Sequence, residues 1–220
     1  MVEISDAVAV AGQLPTAELL IAAQREVLEC GPDDPVPHLV ALHLRPTREV
    51  FAAAQRLLSS DDAAARELGV LILRELGPQN EAGQRPFSTE AVPLLLGRLA
   101  RESDPGVLGW VISALGYNGA TEALGEVVGF TSHPDWRVRF HVAAALPLLV
   151  NPDQVEPSAA EALMHLCQDD EAETRYYALY ALLDEVVGVD PEQLTQTLTG
   201  LLNDPDEQIR SMALTRRVDA

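Results

Sequence analysis

The amino-acid sequence predicts an all-α protein folded as a right-handed α–α superhelix, or solenoid, of about six helical hairpins. Three observations carry this prediction: five aligned copies of a short pattern, an amphipathic stretch ahead of most copies, and a composition dominated by Leu and Ala. Aromatic residues make up only 5% of the 220 residues, whereas a β-sandwich favours Val, Ile, Thr and Tyr. An apolar content of 47% is sufficient for one continuous array with an extended core.

The repeat is clearest in residues 132–139, 169–175 and 204–210, and residues 61–66 and 103–108 fit the same frame. The anchors are the aligned residues Arg66, Leu108, Arg139, Arg175 and Arg210, at intervals of 42, 31, 36 and 35 residues. An acid lies four positions before every anchor: Asp62, Asp104, Asp135, Glu171 and Asp206. A small or branched apolar residue or glycine lies three positions after it: Gly69, Val111, Val142, Ala178 and Ala213. A leucine lies seven positions after it in every copy but the last, which has Arg217: Leu73, Leu115, Leu146 and Leu182.

Each column of the pattern has a physical explanation. An acid caps a helix start and places negative charge at the positive end of the helix dipole. Positions minus one, plus three and plus seven from the anchor share one helix face and form an apolar stripe. A helix pair cannot bury such a stripe alone, so neighbouring pairs must stack. We therefore predict one domain, 1–220, with hairpins at about 15–45, 47–76, 88–116, 119–149, 157–186 and 190–218.

The acidic turn that ends in arginine at 204–210, with close relatives at 135–139 and 171–175, resembles HEAT repeats. The similarity is greatest to bacterial HEAT-like proteins of the phycobilisome-lyase repeat type. It covers about residues 47–218, and the first hairpin rests on periodicity alone.

The resemblance implies a ladder in which an acid six positions before one anchor bonds to the arginine of a neighbouring unit. Asp169 and Asp204 match that position, while Ser60, Glu102 and His133 occupy it in the other copies. Leu108 also replaces the anchor arginine. The resemblance therefore does not predict the ladder between the second and fourth units.

The sequence contains no recognised catalytic or metal-binding motif, which favours a protein that is not an enzyme and has no cofactor or metal. The five histidines do not form HExxH, and GxSxG, Walker and GxGxxG patterns are absent. Cys30 and Cys167 do not form a CxxC pair, which favours a reducing cytoplasm. The first six residues do not resemble a secretory signal, and no apolar run is long enough to span a membrane.

The formal net charge of −19 arises from 34 acidic residues against 15 basic ones, all of them arginine. Residues 156–210 alone hold thirteen acidic residues and two arginines. Binding to nucleic acid is driven by clustered basic residues, so this charge disfavours it. An acidic surface suits either a basic protein partner or simply solubility.

Aromatic residues mark a candidate contact surface. Positions plus one, plus two and plus five from the anchors point away from the apolar stripe, toward the face expected to be concave. They hold Trp110, Phe140, His141, Tyr176, Tyr177 and Tyr180, with Trp136 and Arg137 at the edge. Exposed aromatic residues favour a contact surface. The alternative is that adjacent units bury these rings against each other.

Three functions are consistent with these patterns. The first is a non-catalytic scaffold or adaptor that holds a protein or peptide on its concave face. The second is an acidic immunity protein, or antitoxin, that neutralises a basic toxin through electrostatic attraction. The third, which the missing motifs disfavour, is a lyase or a DNA-glycosylase-like enzyme, as found among similar repeats.

Overall fold

The computed structural model describes the backbone of residues 2–31, 34–81 and 83–218, with side chains from 5 to 216 within those ranges. Every regular element in these ranges is helical, which confirms the all-α prediction there. The helices are α1 (Val2–Ala11), α2 (Thr16–Glu29), α3 (Pro37–His43), α4 (Arg48–Leu57), α5 (Ala63–Arg74), α6 (Ser88–Leu99), α7 (Pro105–Tyr117), α8 (Leu124–Val128), α9 (Trp136–Leu149), α10 (Pro157–Leu166), α11 (Ala172–Tyr180), α12 (Pro191–Leu201) and α13 (Glu207–Val218). A 3-10 turn, Thr121–Ala123, precedes α8, and a π-helical turn, Ala181–Glu185, extends α11. None of the helices in these ranges is both long and apolar enough to cross a membrane.

The helices pack into two compact units, Met1–Gly119 and Ala120–Ala220. In the first unit, α5 packs against α2, α4 and α7, and α1 packs against α3. In the second unit, α11 packs against α9, α10 and α13, and α12 packs against α13. Helix α1 precedes the first predicted hairpin, and the repeat pattern in the sequence does not predict it. The assignment of residues 1–220 to one domain stays a prediction.

The predicted apolar stripe forms the core of both units. The residues three positions after the anchors are all buried: Gly69, Val111, Val142, Ala178 and Ala213. The leucines seven positions after the anchors are buried as well: Leu73, Leu115, Leu146 and Leu182. The side chain of Arg217, at the corresponding position of the last copy, lies outside the described residues. The repeat columns are thus packing positions.

Glycine occupies its column in the first copy because α4 and α5 approach each other closely there. A Cβ atom on Gly69 would lie 2.9 Å from both the Ala54 carbonyl oxygen and the Leu57 Cβ. Real Cβ atoms essentially never approach other atoms so closely. A larger residue at this position would therefore force the two helices apart.

Four of the five predicted helix caps are confirmed. Oxygens of Asp62, Asp104, Asp135 and Asp206 accept hydrogen bonds of 2.9–3.2 Å from amides at the starts of α5, α7, α9 and α13. The prediction for Glu171 is wrong, because its side chain makes no capping hydrogen bond to α11. Its carboxyl group sits one methylene further from the backbone than that of aspartate, which is the preferred cap.

Two anchor arginines of the second unit, Arg139 and Arg175, each join one turn to the next. Arg175 donates through Nη1 to the carbonyl oxygens of Asp169 and Asp170 in its own turn, at 2.8 and 3.0 Å. Its Nε and Nη2 atoms donate to both carboxylate oxygens of Asp204 in the following turn, at 2.8 and 2.9 Å. Arg139 repeats this arrangement and reaches Asp169 at 2.5 and 2.9 Å. The arginine ladder, defined by these bonds, runs from Arg139 to Asp204 in the second unit.

An arginine–carboxylate pair also forms at the first step between the second and fourth units, where the resemblance does not predict it. Arg66 donates to both carboxylate oxygens of Glu102, at 2.8 and 2.9 Å. The Glu102 side chain is fully buried and also accepts hydrogen bonds from the amides of Ser103 and Asp104. Glutamate is one methylene longer than the aspartate at this position in the other pairs, and its carboxylate still pairs with the Arg66 guanidinium. Leu108, which has no guanidinium to continue the series, is buried in the core.

The ladder carboxylates have lowered pKa values. Burial raises the pKa of Asp204, but hydrogen bonds from the Arg175 guanidinium and the Asp206 amide outweigh it, and the pKa falls below its ordinary value. The same balance lowers the pKa of Glu102 and of Asp169. A carboxyl group with a lowered native pKa stabilises the fold while it is ionised and ceases to do so on protonation.

Replacing Arg175 by alanine should lower the free energy of unfolding by about 3 kcal/mol, because it leaves the buried Asp204 carboxylate without its counter-charge. Urea denaturation followed by circular dichroism measures the change. Arg216→Ala is the control, since Arg216 pairs with Asp184 at an exposed site and its loss should cost about 1 kcal/mol or less. Equal losses in the two variants would contradict a structural role for the ladder.

The contribution of Asp204 should depend on pH with a defined sign. The difference in unfolding free energy between wild type and Asp204→Asn should be constant above the ordinary carboxyl pKa of about 4. It should shrink as the pH falls below that value, because the wild-type carboxylate then becomes protonated. Asp153→Asn, at an exposed position, should show no such dependence. A difference that grows on acidification would disprove the role of the ionised carboxylate.

Candidate partner-binding surface

The second unit brings five of the predicted residues together on neighbouring helices α9 and α11. The rings of Phe140 and Tyr177 meet edge to face with centroids 5.0 Å apart. Phe140 also contacts His141 at 5.1 Å, and Tyr176 contacts Tyr177 at 5.6 Å and Tyr180 at 6.4 Å. These residues, Phe140, His141, Tyr176, Tyr177 and Tyr180, form the aromatic surface. Edge-to-face pairs of this kind are favourable beyond the area they bury.

The rings contact each other across the helices and also face solvent. Phe140, His141 and Tyr176 are half-buried, whereas Tyr177 and Tyr180 are 38% and 39% exposed. Trp136 begins α9, one turn before Phe140, and is 40% exposed. The half-buried rings contact the outer tyrosines and so restrict their motion.

Arg137, predicted at the edge of this surface, is engaged by its own helix cap. Its Nη2 atom donates to Asp135 Oδ2 at 2.7 Å, and Nε donates to Oδ1 at 3.0 Å. The Arg137 side chain, its amide and its charge together lower the pKa of Asp135 to about 2. This cation is therefore balanced locally by a carboxylate that stays ionised. Exposed acids Asp170 and Glu173 lie at the start of α11.

Trp110, the remaining predicted residue, belongs to the first unit and has its own set of partners. Its indole donates a hydrogen bond to Glu67, whose pKa is nevertheless raised, because burial outweighs that bond. The Arg74 guanidinium lies over the Trp110 ring at 5.6 Å and over the Tyr117 ring at 3.7 Å. Sequence reasoning missed Glu67, Arg74 and Tyr117, because no fixed spacing marks residues that meet across α5 and α7.

The placement of the described cysteines and acidic residues limits metal binding and thiol reactivity. Among the described side chains, no group of three or more His, Cys, Asp or Glu residues could hold a metal ion. Cys30 and Cys167 are free thiols that lie in different units. Burial raises the pKa of Cys167 to about 12, so this thiol is protonated at neutral pH. The thiolate is the reactive form of cysteine, and Cys167 is therefore inert in the native state.

Comparison with protein families identifies the repeat. The family model described as HEAT repeats matches residues 92–183, which include α7, α9, α10 and α11. Residues 92–183 are thus similar in sequence to HEAT repeats. This stretch contains the aromatic surface and the ladder pair of Arg139 with Asp169. Comparison with curated proteins finds no match.

Several solved structures are similar to this chain. The X-ray structure of YibA from Escherichia coli superposes with a TM-score of 0.66 and 15% sequence identity, covering 94% of this chain and 71% of YibA. An engineered protein gives a TM-score of 0.56 at 18% identity, covering 87% of this chain and 93% of its own. A designed armadillo repeat protein gives 0.55 at 17% identity, covering 87% and 97%. At identities this low, the superpositions establish the fold alone, which is a helical-repeat solenoid.

The two thiols should react at very different rates. In native Cys30→Ser, 5,5′-dithiobis(2-nitrobenzoate) should not modify Cys167 until the protein unfolds in denaturant, because that thiol is buried and protonated. In native Cys167→Ser, Cys30 should react, although burial and the nearby acids Asp34, Glu26 and Glu29 raise its pKa and slow the reaction. Rapid labelling of native Cys30→Ser would contradict the assigned burial.

Proposed function

We propose that this protein is a non-catalytic scaffold that binds a protein or peptide through the aromatic surface. The observation that carries this proposal is the pre-organised set of rings on α9 and α11 with exposed Tyr177 and Tyr180. The helical-repeat fold supports it, because repeat proteins of this type generally use extended surfaces to bind other proteins.

Tyrosine is suited to this role on energetic grounds. Tyrosine, tryptophan and arginine are enriched among the few residues that dominate binding energy at interfaces. A tyrosine side chain offers a large apolar area and a hydroxyl group while losing little conformational freedom. Tyr177 is already restrained by its ring contacts with Phe140 and Tyr176, so binding would immobilise it at little further entropic cost.

The charge of the second unit favours a partner with basic residues around an apolar or aromatic anchor. Asp170 and Glu173 are exposed near the tyrosines, and residues 156–210 carry thirteen acids against two arginines. Opposite charges at the rim of an interface accelerate association and help select the partner. Neutralisation of a basic toxin is the second candidate, and the same acidity favours it. Association would then slow strongly as salt is raised.

The double variant Tyr177→Ala, Tyr180→Ala should lose partner binding while it keeps its helical content and melting temperature. Loss of two anchors of this kind should weaken binding at least about tenfold. Affinity capture from native cytosol with wild-type and variant protein, quantified by mass spectrometry, would identify proteins depleted from the variant. Calorimetric titration with the purified candidate then gives the ratio of dissociation constants.

Leu214→Ala is the matched control, since Leu214 is an exposed apolar residue on α13 of the same unit. This variant should bind the partner as tightly as wild type. A melting temperature that falls sharply in the tyrosine double variant would show that these rings act in the core. Equal binding by the tyrosine variant and Leu214→Ala would show that the aromatic surface is not the contact site.

A further inference from the structure

The first unit contains an apolar groove between α2 and α4, with a volume of about 710 Å³. Its floor includes the buried residues Ala53 and Leu68, and Leu20, Ile21 and Leu57 form its apolar walls. Ile21 is 60% exposed to solvent, so the groove is open along α2. Exposed aliphatic residues beside a concave apolar surface are typical of a contact site.

The exposed apolar surface continues along α2. Ile21, Arg25 and Leu28 are spaced by four and three residues, which places them on one side of the helix. Leu28 is 63% exposed, and Arg25 is exposed as well. The side of α2 that borders the groove therefore presents two aliphatic residues with a cation between them.

The two arginines that line the groove differ from the others in the chain. Within the part of the chain that the structure describes, the side chains of Arg25 and Arg56 have no hydrogen-bond or ion-pair partner. The other described arginines donate to a carboxylate or a backbone carbonyl. In a protein with 34 acidic residues, two exposed cations beside an apolar groove are positioned for carboxylates from another molecule.

We propose that this groove binds an acidic amphipathic helix of a partner protein. Aliphatic side chains of the helix would enter the groove between Ile21 and Leu57, and its carboxylates would pair with Arg25 and Arg56. An amphipathic helix in an apolar groove is a recurring mode of peptide recognition. Charge complementarity determines the choice of partner, because a basic segment would place like charges against both arginines.

This site differs in chemistry from the aromatic surface and lies in the other unit. The aromatic surface is bordered by acids, whereas the groove is bordered by two arginines. The protein would thus bind two partners of opposite charge, as an adaptor does. The groove variants leave Tyr177 and Tyr180 intact, so a failure of the groove proposal would not affect the proposed function of the aromatic surface.

The test uses a fluorescein-labelled synthetic peptide with high helix propensity, leucines along one face and glutamates on both flanks. Fluorescence anisotropy with the full-length protein should show saturable binding, and a peptide with lysines in place of the glutamates should not bind. Arg25→Glu, Arg56→Glu should weaken binding about tenfold or more, because two attractive pairs become repulsive. Ile21→Asp should abolish saturation by placing a carboxylate at the wall of the groove.

Two matched variants control for general effects of charge and exposed apolar area. Arg101→Glu changes the charge at an exposed position of the same unit, and Leu44→Asp replaces another exposed aliphatic residue there. Both should bind the acidic peptide like wild type, and circular dichroism should show unchanged melting for all four variants. Binding that is absent in wild type, equal for the lysine peptide, or unchanged in the arginine double variant would overturn the proposal. Wild-type dimers that dissociate in Ile21→Asp would also overturn it, by identifying a second copy as the occupant.

Discussion

The arginine pairs hold consecutive turns at a fixed spacing, from Arg66 to Glu102 in the first unit and from Arg139 to Asp204 in the second, and this spacing supports burial of the aliphatic stripe. The guanidinium groups of Arg66, Arg139 and Arg175 each bind carbonyl oxygens of their own turn and the carboxylate of the next turn. These carbonyl groups are the ones that the turn leaves without partners in a helix or a sheet. One side chain therefore satisfies backbone groups of its own turn and links two repeats.

The ladder also explains how an acidic chain remains compact. With a net charge of −19, mutual repulsion opposes folding, and every buried carboxylate needs a cation. Arg66, Arg139 and Arg175 serve Glu102, Asp169 and Asp204, all of which have pKa values below the ordinary range. Most of the remaining arginines are engaged by backbone or carboxylate groups. Most of the described arginines thus have a structural role, in contrast to Arg25 and Arg56 of the groove, which have no partner among the described residues.

The two candidate surfaces are formed by helix positions that lie outside the buried apolar stripe. A helix that buries one face still has positions that point elsewhere, and those on α9 and α11 carry rings that partly shield one another. On α2 and α4, the positions outside the stripe carry aliphatic and cationic side chains. A helical-repeat fold can carry different chemistry on successive repeats because each repeat packs mainly on its neighbours. One surface can therefore change without loss of the core of another.

Local and periodic information in the sequence determined much of this protein. The caps at Asp62, Asp104, Asp135 and Asp206 depend on contacts within three residues, and the stripe at Val142 and Leu146 depends on helical spacing. Contacts between separate segments were decided only by the tertiary structure. The sequence could not reveal that Glu102 reaches Arg66, that Glu67 and Arg74 hold Trp110, or that Arg25 and Arg56 have no carboxylate partner among the described residues. Each of these depends on which side chains from distant helices meet, because hydrogen bonds and ion pairs act over a few ångströms in space and carry no fixed spacing along the chain.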